Sequence, residues 1–304
     1  MRRWWAAGVL AAWAGVASSA APPLAVDPGL PVYRKVSGVS GSLNSLGSDT
    51  MNNLMSSWGE AFRRYYPSVR LQVEGKGSST APPALIAGTA QFGPMSRAMR
   101  ASEIDQFEAR HGYGPTEVKV AYDALAVFVH RDNPVTQLSL AQLDAIFGKM
   151  RRRGHGPVRT WGDLGLTGDW ARRPISLYGR NSASGTYGFF KERVLRNGDF
   201  KDQVKEQPGS GSVVQAITED RYAIGYSGIG YRTSGVRIVP LVRRDGEPAS
   251  SGRYEDVASG AYPLSRFLLI YLNKPPNRPL PPLALEFMRL VFSAQGQQVV
   301  AREG

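Results

Sequence analysis

The feature that most constrains this chain is a repeating order of short apolar run, small-residue loop and amphipathic segment. In the second half, "PISLYG" precedes "SASGTYGFFKERVL", and "GSVVQAITED" is followed by "YAIGYSGIGY". Short apolar runs are typical of buried strands, whereas apolar residues recurring every three or four positions predict a helix. Alternating strands and helices predict an α/β fold with a mostly parallel sheet.

The first half of the chain continues this alternation. Leu54, Trp58, Phe62 and Tyr65 recur at helical spacing, and Pro67 ends the pattern. Further on, "TEVKVAYDALAVFVHRD" contains two strand-like stretches. A chain of 304 residues is long enough for two such sheets side by side, each with its own core.

The N-terminus has the composition of a targeting segment. "MRRWW" is positively charged, "AAGVLAAWAGVA" is an apolar run too short to span a bilayer, and "SSAA" offers small residues for cleavage. We therefore expect a signal peptide over residues 1–20 and a proline-rich linker over 21–36. The mature protein is then periplasmic or secreted, although an uncleaved anchor remains an alternative.

Composition excludes several classes of chemistry. The chain has no cysteine, which rules out disulfides, cysteine-ligated zinc and thiol catalysis, and it has only three histidines. The net charge of +12 favours anionic partners. Only "KMRRRGHGPVR", residues 149–159, is densely basic, and we interpret it as a solvated loop. No basic helix with interleaved aromatics is present, so we expect no nucleic-acid partner.

Three loops share one chemistry: "GSDTM", "GKGSSTAPP" and "GRNSASGTYG". Each follows a predicted strand, precedes a predicted helix, and combines glycine with serine or threonine. A helix N-terminus offers free backbone N–H groups, and hydroxyls add donors without charge, so such loops can wrap a small oxyanion. Ordinary helix capping explains any single loop equally well. Three loops at one edge of the sheet favour a ligand site.

Two further positions fit an anion site. Arg180 stands four residues before Ser184, where capping does not explain it, and its guanidinium can bind an oxyanion through two parallel hydrogen bonds. A surface position or a structural salt bridge would account for Arg180 as well. Asp123 lies at the end of a predicted strand in "AYDAL".

From about residue 41 to the C-terminus the chain resembles the periplasmic phosphate-binding proteins of ABC phosphate importers. The resemblance rests on "GSSTAPPALIAGTAQFGPMSR", "LDAIFG" before "TWGDLGL", "GRNSASGT" and "AIGYSGIGY", in that order. It implies the type II periplasmic-binding-protein fold, in which two Rossmann-like α/β lobes are joined by crossover hinge strands. We expect lobe I over 37–125 and 229–304, and lobe II over 126–228.

The resemblance also implies a function. A monomeric exported protein would capture inorganic phosphate in the interlobe cleft and deliver it to an ABC membrane permease, with no cofactor, no metal and no catalysis. The candidate phosphate-binding residues are Asp49, Thr50, Ser78, Ser79, Ser96, Asp123, Arg180, Ser184, Gly185 and Thr186. Of these, Arg180 is the expected charge partner of the anion.

One position departs from the family pattern. Some members carry an aspartate after the "FG" strand that accepts the proton of bound phosphate, whereas this chain has Ser96 there. Asp49 and Asp123 are the candidates to replace that carboxylate. Each also has an ordinary structural explanation, as a helix cap or a strand-end residue.

Other functions remain open from the sequence. Sulfate and molybdate binders share the architecture and the serine-rich loops. A secreted phosphatase would need a nucleophile or a metal as well. "GRNSASG" is not the G-x-S-x-G elbow of hydrolases, and the loops lack the lysine of a P-loop. A secreted adhesive module on the same fold is a third alternative.

Overall fold

The computed structural model describes residues 26–244 and 246–303. The predicted signal peptide over 1–20 therefore lies outside the described residues, as does the beginning of the predicted linker. The strands are β1 (Ser42–Leu46), β2 (Arg70–Glu74), β3 (Gly93–Met95), β4 (Thr116–His130), β5 (Leu138–Ser139), β6 (Ser176–Arg180), β7 (Lys205–Gln207), β8 (Ala223–Gly228), β9 (Val236–Ile238), β10 (Leu241–Val242) and β11 (Ser265–Leu272). The helices are α1 (Asn52–Tyr65), α2 (Ala81–Ala87), α3 (Ala101–His111), α4 (Leu140–Phe147), α5 (Gly185–Arg193), α6 (Ser210–Glu219), α7 (Tyr254–Ala258), α8 (Pro282–Val291) and α9 (Ala294–Glu303).

Helix α1 shows how the local pattern becomes packing. Leu54, Trp58 and Phe62 lie on one face and are buried, as their spacing predicts. The helix ends at Tyr65, two residues before Pro67. The indole of Trp58 donates to the backbone carbonyl of Gly296, 2.8 Å away, so the first helix is fastened to the last.

The main sheet of the described residues has seven strands in the order β3-β11-β4-β8-β6-β7, with β9 paired to β4. The prediction of a mostly parallel sheet is wrong here. β4 is antiparallel to β11, β8 and β9, and parallel pairing in this sheet joins β6 to β7 and to β8. The separate pair β1–β2 is also parallel.

Strand β4 links two cores. The stretch predicted as two strands is one strand of 15 residues, because its first half pairs with β11 and its second half with β8. Val120 packs in a first core with α1, α8 and α9, whereas Leu125 and Val127 pack in a second core with α4 and α5. These two cores define a first and a second lobe, which confirms the two-lobed α/β architecture.

The cores suggest a different division of the chain from the predicted one. Buried residues from Val236 to Leu264 pack in the second lobe, although the predicted boundary assigned 229–304 to the first. The chain re-enters the first lobe with Leu268 on β11. The difference arises because β9 pairs with β4, which keeps the following segment on the second lobe.

The predicted linker over 21–36 includes a residue that packs in the first lobe. The Tyr33 side chain is buried, and its hydroxyl bonds Tyr66 at 2.9 Å and Glu286 at 3.1 Å. The linker prediction is therefore wrong at Tyr33, since a tyrosine fixed by two buried partners belongs to the fold. Among the described helices, none has the length and apolarity needed to cross a membrane.

Candidate functional site

Backbone hydrogen bonds join the loops that follow β1 and β2 to each other and to strand β3. The N–H of Gly77 donates to Gly47, and the N–H of Ser48 donates to Pro94, at 2.8 and 2.7 Å. The carboxyl ends of these strands thus meet at one edge of the first lobe, as expected for an α/β sheet.

Two hydroxyls from this edge are fully buried and contact each other. Ser78 Oγ lies 3.3 Å from Ser96 Oγ and also accepts the Ser96 backbone N–H at 3.0 Å. Buried hydroxyls are costly to leave without partners, which favours a polar site here over an apolar interface.

The second lobe contributes the N-terminus of α5. Ser184 caps the helix, and its Oγ accepts the backbone N–H groups of Thr186 and Tyr187 at 3.1 and 3.4 Å. Its own O–H remains able to donate, so capping and anion binding are compatible. Thr186 Oγ1 lies 2.9 Å from Thr50 Oγ1 of the first lobe, which joins the predicted loops across the cleft.

Gly185 brings the lobes into direct contact. A Cβ atom at this position would collide with the Ser78 hydroxyl and would lie 2.6 Å from Ser96 Oγ. Gly77 approaches the other lobe as closely, since a Cβ there would lie 2.5 Å from the Ala183 carbonyl oxygen. Glycine at both positions allows the backbones of the two lobes to come this close.

Arg180 ends β6 and is 1% exposed. Its guanidinium donates to Ser210 Oγ at 2.8 Å and to the Pro208 carbonyl at 3.2 Å, and lies 3.1 Å from Asp49 Oδ2. Burial lowers the pKa of Arg180, and the carboxylate of Asp49 opposes that shift. Arginine stays charged at neutral pH, so the position carries a buried positive charge.

Asp49 connects the lobes rather than standing free in the cleft. Its Oδ2 accepts the backbone N–H of Ser210, at the start of α6, at 2.7 Å. Its backbone carbonyl accepts the hydroxyl of Tyr231 at 2.9 Å. Together with the ion pair to Arg180, these contacts tie the first lobe to three elements of the second.

A second buried arginine was missed by the sequence analysis. Arg266 on β11 is 7% exposed and lies directly opposite Asp123 in the β4–β11 ladder, with 2.6 Å between Nε and Oδ2. It also donates to the Ser96 carbonyl and to Thr186 Oγ1, each at 3.1 Å. Arg180 is therefore not the sole cationic side chain at this junction. The lone arginine in the apolar strand "SRFLLIYLN" could have predicted a buried ion pair, because a buried arginine needs a partner for its charge.

Ser79 has a different environment from Ser78. Its backbone N–H donates to the Ala183 carbonyl at 3.1 Å, and its hydroxyl accepts from Arg97 at 3.2 Å. Arg97 in turn forms a two-point ion pair with Glu103, with distances of 2.7 and 2.8 Å. Ser79 thus serves as an interlobe contact, half-buried, at the edge of the polar cluster.

The structure brings all ten sequence-predicted positions to the junction between the lobes, along with three residues that were not predicted. The unpredicted residues are Ser210, Tyr231 and Arg266. Ser210 follows the same pattern of glycine, serine and helix start as the predicted loops, so that signal was present in "PGSGSVV". We call this group of buried hydroxyls, paired arginines and the α5 N-terminus the interlobe polar cluster.

The histidines lie in other parts of the molecule. His111 packs on Phe107, and His130 lies 3.7 Å from Asp132. His155 bonds the carbonyl of its neighbour Gly156. Within residues 26–244 and 246–303, no three His, Asp or Glu side chains converge in a way that could hold a metal ion.

Comparison with known proteins adds to this geometry. The model of the PBP superfamily domain matches residues 34–295. The phosphate-binding protein PstS of Pseudomonas aeruginosa is 54% identical over 296 residues, which cover 97% of this chain and 91% of that protein.

Solved structures agree in fold. A phosphate-bound structure described as a phosphate ABC transporter substrate-binding protein from Clostridium perfringens aligns with a TM-score of 0.72 at 27% identity, over 86% of this chain and 98% of that one. An ABC-type phosphate transport receptor from Vibrio cholerae aligns with a TM-score of 0.65 at 21% identity, again over 86% and 98%, and at that identity shows the fold alone.

Proposed function

Because the chain belongs to the PstS family of phosphate-binding proteins, within the PBP superfamily, we propose that it captures inorganic phosphate between its two lobes. The observation that carries the proposal is the interlobe polar cluster. Ser78, Ser96 and Thr186 are each 0% exposed and converge from both lobes on the N-terminus of α5. Hydroxyls and helix N–H groups bind a tetrahedral oxyanion by direct hydrogen bonds.

The charges at the junction suit an anion that still carries a proton. Each buried arginine is already paired with a carboxylate, Arg180 with Asp49 and Arg266 with Asp123. The two pairs sum to zero formal charge, so neutral dipoles supply much of the attraction. A carboxylate lone pair can accept the proton of phosphate, whereas fully ionised sulfate offers none and leaves that acceptor unpaired, at a cost of about 1–3 kcal/mol or more.

We assign the role of proton acceptor to Asp123. The Asp49 carboxylate already contacts Ser210 and Arg180 of the second lobe, so we assign it the role of holding the two lobes together. Asp123 is connected by the single side chain of Arg266 to both Ser96 and Thr186. It therefore replaces the aspartate that some family members carry at the position of Ser96.

Opening and closing would occur about β4 and β11. Strand β4 contributes to the cores of both lobes, β11 pairs with it where the chain returns to the first lobe, and the Asp123–Arg266 pair lies at that crossing. Interlobe contacts such as Ser79 N–H to Ala183 belong to the closed arrangement. Hinge motion of this kind lets an anion enter before the cluster surrounds it.

The test is isothermal titration of the mature chain with phosphate, sulfate and molybdate. We expect binding of phosphate in preference to sulfate by at least about five- to 150-fold, which is the factor that a cost of about 1–3 kcal/mol for the unpaired acceptor gives. The matched variants Asp123→Asn and Asp49→Asn separate the two carboxylates, since the first should relax discrimination against sulfate. Tight sulfate binding with no phosphate heat in the parent protein would contradict the proposal.

We propose binding rather than catalysis. A phosphatase would use the same cluster but must also supply a nucleophile or a metal-bound water. Ser184 is the serine to test, since it lies at the helix N-terminus. Release of product from a chromogenic phosphomonoester, abolished by Ser184→Ala, would overturn the binding proposal.

We further propose that the protein is exported by cleavage of the N-terminal segment near residue 20, and acts as a monomer that delivers phosphate to an ABC import permease. The charged, apolar and small-residue order of the segment supports export, and the similarity to a phosphate ABC transporter substrate-binding protein supports delivery to a permease. N-terminal sequencing of the protein from the periplasmic fraction tests export. Retention of Met1 in membranes would contradict it.

A further inference from the structure

A second group of arginines converges on the second lobe, at the C-terminal end of α5. Arg153, Arg193, Arg196, Arg243 and Arg244 line one pocket of about 460 Å³. They come from the basic run, from the end of α5 with the turn after it, and from the segment after β10. We call this the arginine pocket.

The arginine pocket lies apart from the interlobe polar cluster. Helix α5 begins at Gly185, in the cluster, and ends at Arg193, which lines the pocket. Eight steps at a helical rise of 1.5 Å separate Gly185 from Arg193 by roughly 12 Å along the helix. An anion in one site therefore does not contact the other.

The described residues give these five arginines little compensating negative charge. No carboxylate among residues 26–244 and 246–303 lies within 4.0 Å of the charged nitrogens of the five side chains. Burial lowers the pKa of Arg153, the positive charge of Arg196 lowers it further, and Asp144 opposes the shift. Like charges held this close repel each other, and a bound anion would relieve that repulsion.

Three of the five donate to backbone carbonyls: Arg196 to Arg152 at 3.3 Å, Arg243 to Gly260 at 2.7 Å, and Arg153 to the end of α5. Arg153 donates through Nε to the Val194 carbonyl at 2.7 Å and through Nη2 to the Arg193 carbonyl at 2.5 Å, which satisfies the C-terminal end of α5. Arg193 and Arg244 are exposed and make no side-chain hydrogen bond to the described residues. The Arg193 guanidinium lies over the Phe189 ring, 5.8 Å from its centroid, so within the described part of the chain the hydrogen-bond donors of both side chains can face a ligand.

We propose that the arginine pocket binds a free anion carrying two or more linked phosphoryl groups. A planar guanidinium matches the spacing of phosphoryl oxygens and binds them at two points, and several such forks favour several phosphoryl groups. The volume is in the range of small-ligand pockets, about 300–1,000 Å³, which leaves room for more than a single orthophosphate. The aromatic residue of the lining, Tyr262, is 1% exposed, so the pocket offers no face for stacking a nucleobase.

The probe for this site is sodium tripolyphosphate, titrated into the mature chain with orthophosphate in excess. The excess fills the interlobe site, so a negative result here leaves the proposed function untouched. The test variant is Arg193→Gln with Arg244→Gln, both at exposed positions. The control is Arg172→Gln with Arg278→Gln, which removes the same charge from exposed positions outside the pocket.

We expect the parent protein and the control to bind tripolyphosphate alike and the pocket variant to bind about a hundred-fold more weakly, at about ten-fold per charge-assisted contact. Orthophosphate affinity and melting temperature should be the same in all three. Equal weakening in both variants, or no tripolyphosphate heat in the parent, would overturn the proposal. Binding to vesicles of anionic lipid that depends on the pocket, without binding of free tripolyphosphate, would also overturn it and would indicate a membrane surface as the partner.

Discussion

Replacing Gly185 by alanine tests how closely the lobes must approach. The added Cβ would collide with the Ser78 hydroxyl and would lie 2.6 Å from Ser96 Oγ and 2.9 Å from Ser78 Cβ. Atoms of this kind do not come within 3.0 Å, so the loops must shift apart. Overpacking of this sort costs about 1–3 kcal/mol, and the cost falls on the closed arrangement alone.

We therefore expect Gly185→Ala to weaken phosphate binding by about five- to 150-fold, since 1.4 kcal/mol corresponds to a factor of ten. Isothermal titration measures the loss. The melting temperature should rise or stay constant, because alanine is favoured over glycine in a helix by up to about 1 kcal/mol. Weaker phosphate binding without a lower melting temperature would indicate that closure is blocked, whereas a loss of both would indicate misfolding.

Gly188→Ala is the matched control, in the same helix. Its nearest contact would be Arg97 Cδ at 3.3 Å, which requires a shift of only a few tenths of an ångström, whereas the contacts of a Cβ at position 185 lie below 3.0 Å. We expect phosphate affinity within about threefold of the parent protein. If Gly185→Ala bound phosphate as tightly as Gly188→Ala, the close approach of the loops would not be part of the binding arrangement.

Further predictions concern the buried ion pairs. Arg266→Met strands the Asp123 carboxylate in a buried position and should lower the free energy of unfolding by about 3–5 kcal/mol in denaturant titrations; an unchanged midpoint would refute the pairing. Asp123→Asn should admit sulfate in competition titrations while Asp49→Asn should not, and the reverse order would exchange their roles. Burial opposes ionisation of Glu103, but hydrogen bonds from Arg97 hold the pKa of that carboxyl below its ordinary 4.5. A carboxyl whose pKa is lower in the folded state stabilises the fold at any pH above its pKa in the unfolded state. That stabilisation is lost as the pH falls through its pKa in the folded state. Arg97→Met should therefore lower the melting temperature more at pH 7 than at pH 3, and an equal loss at both would contradict this.

Local patterns predicted much of the fold because they report local packing. The spacing of Leu54, Trp58 and Phe62 located α1, and the glycine and hydroxyl loops located the helix starts at the junction. Ser184 caps α5, which confirms the capping alternative, and its role in anion binding stays a prediction. These features depend on residues close together in the chain.

The parts that the sequence did not predict depend on long-range pairing. Arg266 meets Asp123 because β11 runs antiparallel to β4, and 143 positions separate the two residues. The same pairing explains why the sheet is mixed and why β4 is one strand. Strand direction and register between distant segments are set by the assembled sheet, not by periodicity within either strand.

The basic run illustrates the same limit. Residues 149–159 were interpreted as a solvated loop, and Lys149 is indeed half-exposed beside Asp202. Arg153, however, is partly buried and holds the end of α5, where it meets arginines from two other segments. Charge density along the chain could not indicate that convergence.

The most direct test of the account is a crystal structure of the mature protein with phosphate. We predict density for one tetrahedral anion in the interlobe polar cluster, within hydrogen-bond distance of the hydroxyls of Ser78 and Thr186 and of the N–H groups that begin α5. The Asp123 carboxylate should accept the phosphate proton. Phosphate bound at another surface, with the two lobes in contact through Thr50 and Thr186 as they are here, would contradict the account.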